Sequence, residues 1–230
     1  MLPHEKEHEK EAFKKLPPGK KIQHFFNYYL IQTLAVIGVT ALAVYLIWNF
    51  FIKKHDQYVF AAAVYDEAFS FDKKDAFTDR LRELFELTDS HELTRIDDQY
   101  YSGSVQDRMK LTVLLTAGEY DVIVAGEETF RALAGDGLME DLDELFTKQD
   151  AEKFGERYIN TPGLLETESF SLNENYSGKG EAHNYGISLK DNDVWQTLGG
   201  VCQDPVLGIC LSSGNTENAV KFVHYLFDES

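Results

Sequence analysis

The sequence predicts an α/β fold: a single three-layer lobe around a mainly parallel sheet, preceded by one transmembrane helix. Three observations predict it. Residues 30–52 run 23 positions without a charged side chain. Beyond them, short apolar runs such as 58–64 and 120–126 read as strands covered on both faces. Between those runs lie stretches of helical periodicity joined by short links, and strand–helix–strand alternation implies right-handed crossovers and parallel strands.

The apolar segment sets the organisation. A 23-residue helix spans roughly 34 Å, enough for a hydrocarbon core of about 30 Å with some tilt. Phe25, Phe26, Tyr28 and Tyr29 precede it, and Tyr45, Trp48, Phe50 and Phe51 occupy its last turns, an aromatic belt at each interface. Six lysines lie in residues 1–29, whereas only Lys53 and Lys54 follow closely, so the tail is expected in the cytoplasm and residues 53–230 outside. The run exceeds a signal-peptide core, and Lys53-Lys54 stands where a cleavage site would be. The expectation is an uncleaved signal anchor in a cell membrane: a charged tail at 1–29, the span at 30–52, and an extracytoplasmic α/β domain at 53–230.

Beyond the tail there are 16 basic and 35 acidic residues, a formal charge of −19. Such a domain repels phosphate backbones, which argues against nucleic acid as a partner. Roughly 175 residues suffice for one domain with a proper core and are few for two. Cys202 and Cys210, the two cysteines, either form a disulfide around Pro205 or stay as separate thiols. Neither has a neighbouring histidine to make it a nucleophile.

In chain order, the pattern gives a strand at 58–64, then a helix over 76–88 capped by Asp75, with Phe77, Leu81, Leu84 and Phe85 facing the core. A strand follows at 92–97. Ser104 and Asp107 open a helix that Gly118 stops. The run 120–126 is the third strand, and another helix begins at Thr129. The runs near 58–64, 121–125 and 206–211 are expected at the centre of the sheet.

Residues 116–125 (TAGEYDVIVA) and 130–143 (FRALAGDGLMEDLD) resemble extracellular solute-binding proteins of ABC importers. Those chains have a glycine-ended helix, an Asp-Val-Ile strand, a short helix and a Gly-Leu-acidic-x-Leu turn. Residues 207–213 and 215–227 are similar to the same family's last strand, polar turn and helix, and 185–189 to its strand returning from a second lobe. Lys20 to Tyr29 resembles the segment before the span in single-pass membrane proteins of Gram-positive bacteria. The family inserts a second lobe of a hundred or more residues where this chain has only 147–184. The resemblance therefore implies one periplasmic-binding-protein-like lobe, with 147–184 an irregular loop or small subdomain.

In a parallel sheet, ligands gather beyond the carboxyl ends of the strands. Tyr65, Asp66, Tyr101, Ser102, Glu127 and Glu128 lie there and suit a small polar or cationic solute, with Trp195 either an aromatic platform or a core anchor. The expected function is non-enzymatic: presentation of a binding surface to a small solute, or docking on a transporter or envelope protein without solute binding. No cofactor and no metal are expected. His4-Glu5-Lys6-Glu7-His8 matches the spacing of a zinc-protease helix, but a charged terminus supplies no third ligand. Asn173-x-Asn175-x-Ser177-Gly178 mimics half a calcium loop, yet Asn184 stands where the bidentate glutamate belongs. Asn175-Tyr176-Ser177 is also formally a glycosylation sequon.

Overall fold

A computed structural model describes residues 17, 19, 30–53, 56–165, 178–197 and 202–228. The zinc-like motif at 4–8 lies outside these residues, as do positions 173–177 of the calcium-like loop. The chain divides after His55 into two units.

In the first unit, helix α1 (Leu30–Ile47) continues into a wider π-helical turn at Trp48–Ile52. The segment Leu30–Phe50 is long and apolar enough to cross a membrane, and none of it is buried within the chain. Thr40 donates its hydroxyl to the Val36 carbonyl at 2.8 Å, so the side chain is satisfied inside its own helix.

The second unit is built on a six-stranded sheet among the described residues. Its strands are β1 (Gln57–Tyr65), β2 (Glu92–Tyr100), β3 (Val122–Gly126), β4 (Tyr158–Pro162), β5 (Ala182–Ser188) and β6 (Pro205–Ile209). Their order across the sheet is β2-β1-β3-β6-β5-β4. β1 is parallel to β2 and to β3, as expected from the first half of the chain. The pairs β3–β6, β5–β6 and β4–β5 are antiparallel. The sheet is therefore mixed, which corrects the expectation of a mainly parallel one. The expected central runs do occupy the middle, in β1, β3 and β6.

The first helices are α2 (Phe71–Leu84), α3 (Val105–Thr116) and α4 (Glu127–Gly135). Next come α5 (Leu142–Leu145), α6 (Lys148–Phe154), α7 (Asp193–Gln196) and α8 (Thr216–Asp228). Alternate residues of a strand point to opposite faces, and the core divides accordingly. Phe60, Ala62 and Val64 join α2, α7 and α8 on one face, with Phe77, Leu81, Trp195 and Phe222 among the packed side chains. Ala61, Ala63 and Tyr65 join α3 and α4 on the other, with Leu111, Leu115 and Phe130. The layering follows from handedness. The chain moves from β1 to one side to make β2, then back across β1 to make β3, so right-handed crossovers place α2 and α3 on opposite faces.

Two glycines meet at the seam between β5 and β6. Gly186 and Gly208 are register partners, and the ring of fully buried Phe130 lies against both. A Cβ on either one would come within 2.5 Å of that ring.

Some local signals match the structure closely. Ser104 accepts from the Asp107 amide at 3.1 Å and opens α3, and Gly118 ends the turn after it at φ 73°. α2 differs from expectation. It starts at Phe71 after Ser70, a full turn before the expected start at Ala76, so Asp75 lies within the helix instead of capping it. Within 147–184, expected as an irregular loop or small subdomain, the described residues include α6 and the edge strand β4.

Asp121 ties the start of the domain to its end. It is 2% exposed, yet accepts from the Ala61 amide at 2.8 Å, the Ser213 hydroxyl at 2.7 Å and the Asn215 side-chain amide at 3.2 Å. A buried carboxylate persists where donors replace water in this way.

Candidate functional site

The carboxyl ends of β1, β2, β3 and β5 and the start of β6 share one end of the sheet, which gathers the strand-end residues expected from sequence. They take different roles there. Tyr65 is the last residue of β1 and is fully buried, edge-on to Tyr100 at 6.2 Å, with no hydrogen-bond partner for its hydroxyl among the described residues. Burial, with lesser contributions from Asp66 and Asp107, pushes that hydroxyl up to about 12.

Asp66 adopts a left-handed backbone at φ 55°, tolerable for an aspartate. Its amide donates to the Tyr100 carbonyl at 2.8 Å, and its carboxylate accepts from the Ser102 amide at 2.9 Å. Asp66 and Ser102 thus bind the β1 and β2 loops together. Asp98 adds a second tie, accepting from the Phe69 amide at 2.9 Å and from Lys74 at 2.7 Å. Glu127 pairs with Arg131 at 2.6 Å, and Arg131 donates to the Asn160 carbonyl, which fixes α4 to edge strand β4. Tyr101 and Glu128 are both exposed.

The direction of the crossovers reverses between β1 and β3, and a doubly wound sheet opens its crevice at such a point. Here the chain itself crosses that point. The Cys202 amide donates to Glu67 at 3.1 Å, and the Gln203 carbonyl lies within 3.6 Å of where a Cβ on Gly126 would stand.

Beyond the crossing lies an open cleft of about 420 Å³, lined by Glu67, Lys190, Asp191, Trp195, Cys202 and Asp204 among others. Glu67 is 1% exposed. Lys190 pairs with Asp204 at 3.0 Å, and that bond holds its ammonium above the usual range. Trp195 forms the wall, 5% exposed and edge-on to Phe69 at 5.8 Å. Asn192 holds the wall in place by accepting from the Trp195 amide at 2.8 Å and donating to the Leu226 carbonyl at 2.7 Å.

The local field is negative. Burial first, then Glu67, Asp66 and Asp204, push the Cys202 thiol up to about 11. That is the opposite of an activated nucleophile. Cys202 and Cys210 are both free thiols. Strand β6 separates them, roughly 17 Å of extended chain, so the disulfide alternative from sequence does not form. Among the described residues no cluster of histidines, cysteines and carboxylates is arranged to hold a metal.

Sequence reasoning does not name Lys190, Asp191 or Asp204 for the site. The available signal is the polar turn Lys190-Asp191-Asn192-Asp193 just past an apolar strand, with Asn192 placed to cap a helix. Of the two roles expected for Trp195, platform or core anchor, it serves both the wall and the core.

No protein-family model matches the chain, and no curated protein matches it. Among solved structures it is similar to the extracellular solute-binding protein family 1 from Alicyclobacillus acidocaldarius subsp. acidocaldarius DSM 446. The two are 18% identical, the match covers 59% of this chain and 28% of that chain, and the TM-score is 0.27. That likeness is too slight to say what this chain binds.

Proposed function

We propose that residues 56–230 form an extracytoplasmic, non-enzymatic binding module, held in a cell membrane by 30–52 with residues 1–29 in the cytoplasm. In this reading the module takes a small cationic solute at the carboxyl end of its sheet. The observation that carries the proposal is the acidic cleft. Glu67, Asp191 and Asp204 line it with Lys190 as counter-ion, and buried Trp195 gives it an aromatic wall. Tyr101 and Glu128 form the outer rim. Asp66, Ser102 and Glu127 hold the rim's shape, and Tyr65 supports it from beneath.

The test is a thermal-shift screen of the full chain in detergent against polyamines, basic amino acids, guanidino compounds, neutral sugars and anionic metabolites. Cationic solutes raise Tm, and Asp191→Asn with Asp204→Asn weakens that binding about tenfold, as expected for loss of a charge-assisted contact at a part-exposed site. The absence of any shift from cationic solutes at millimolar concentration refutes the reading.

A further inference from the structure

α3 presents an unusual outer face. Its exposed residues are Val105, Gln106, Arg108, Met109, Lys110, Val113 and Thr116, with no carboxylate among them. The whole domain carries 35 acidic residues, of which α3 contributes only half-buried Asp107. Val105, Met109 and Val113, spaced four apart, form one stripe at 60%, 53% and 49% exposure, and Tyr101 just before the helix is 55% exposed. α3 already buries Leu111 and Leu115 against the sheet, so the stripe is a second apolar face. The other long helices of the domain do not share it. Apart from Phe71 and Ala76, the exposed positions of α2 are charged, and α8 sets Glu217 and Lys221 outward as an ion pair at 2.9 Å.

Arg108 and Lys110 flank the stripe on its two sides. Lys110 lies over the Tyr100 ring at 5.5 Å; burial raises the Asp136 carboxyl above its usual range, and the nearby Arg108 guanidinium partly opposes that rise. Tyr, Met and Arg are the residue types enriched at protein interfaces, and apolar anchors four apart on a helix suit insertion into a groove.

Charge selects the occupant. A second copy would bring together two domains of like charge and set cation against cation along the stripe. An anionic bilayer is a plane that extends past α3 and would also meet the carboxylates around it, unlike a groove confined to the helix, and the stripe lacks the Trp, Phe or Leu that anchors an interfacial helix. We propose that α3 docks into a groove on a partner protein, with an apolar floor and a rim of carboxylates that meet Arg108 and Lys110. The stripe Val105, Met109 and Val113 lies apart from the residues that line the cleft and shares only Tyr101 with the proposed rim, so the inference holds whether or not a solute binds there.

The test places a photoreactive amino acid at Met109 in the full chain, in native membranes, with the same probe at Lys221 as control. The expected result is a protein adduct at position 109 at least tenfold above the control. Its crosslinked peptide, sequenced by mass spectrometry, is apolar with carboxylates within one helical turn. Arg108→Glu with Lys110→Glu lowers the yield at least tenfold, and Arg108→Gln with Lys110→Gln lowers it less, while both variants keep a cooperative unfolding transition and the control yield at Lys221. An adduct with a second copy of the chain or with lipid overturns the proposal. So does a partner peptide without carboxylates, a yield insensitive to charge reversal, or no adduct above the control.

Discussion

Adding one methyl group at Gly208 tests the packing of the β5–β6 seam. The new Cβ would stand 2.5 Å from one edge atom of the Phe130 ring and 3.0 Å from the Met139 sulfur. Met139 can swing aside, but Phe130 is fully buried and cannot. Overpacking of this kind costs about 1–3 kcal/mol, offset by about 0.4–1 kcal/mol because alanine restricts the unfolded chain. Gly208→Ala should therefore destabilise by about 1–2 kcal/mol. Phe130→Ala should cost about 3–5 kcal/mol through lost burial and the cavity left behind. Combined, the two should fall short of their sum by about 1 kcal/mol, because the alanine methyl enters the space the ring leaves. The assay is equilibrium urea unfolding of residues 56–230 followed by Trp195 fluorescence, with the m-value checked for constancy. Effects that add to within about 0.5 kcal/mol, or a neutral Gly208→Ala, would refute the argument from ring contact.

Further expectations concern charge, thiols and topology. Asp121→Ala strands the Ala61 amide, Ser213 and Asn215, and should cost at least about 3 kcal/mol in the same urea experiment. At Asp98, burial raises the carboxyl, but the hydrogen bonds from Lys74 and the Phe69 amide outweigh it and leave it below its ordinary value. A depressed folded-state value contributes stability that is present above the unfolded value, near 4, and is lost as pH falls through the folded one. Asp98→Asn should flatten the loss of Tm below about pH 4. With both cysteines free, reductant should leave Tm unchanged, and a maleimide should modify half-buried Cys202 slowly and Cys210 only on unfolding. In a cysteine-free background, Asp191→Cys should react with an impermeant thiol reagent in intact cells and Lys14→Cys should not; the reverse pattern inverts the proposed orientation.

The parts of the fold legible in the sequence are those where side-chain pattern and geometry are the same fact. A run such as Phe60-Ala61-Ala62-Ala63-Val64 has no polar face, so it has to lie between two layers, and it does. Strand direction is not written that way. Pro205 to Ile209 is apolar throughout and reads the same pointing either way, so pattern alone extends the parallel arrangement of β1 to β3 onto β6. The start of α2 is hidden because Asp72, Lys73, Lys74 and Asp75 offer no inward residue before Phe77, although the backbone is already helical. At the candidate site, position along the chain places these residues at one end of the sheet but does not give their depth. Tyr65 shares its face with Ala61 and Ala63, and period two alone turns it inward beneath the helices. The Cys202 crossing depends on a contact with Glu67 across 135 residues, for which no local pattern exists.

The placing of β6 between β3 and β5 governs how the domain is made. Synthesis delivers β1, β2 and β3 first, with Asp121 at their edge. The groups that satisfy it, Ser213 and Asn215, emerge 92 and 94 residues later. Until then β3 offers an unpaired apolar edge, Phe130 lacks the Gly208 half of its seat, and the β4–β5 pair has no strand through which to join the sheet. Long-range closure of this kind is slow and leaves the half-made chain prone to aggregate. In the proposed topology the nascent domain stays unfinished through most of its export and needs shelter on the far side of the membrane, until a late strand slides between two earlier ones and closes the sheet from its middle.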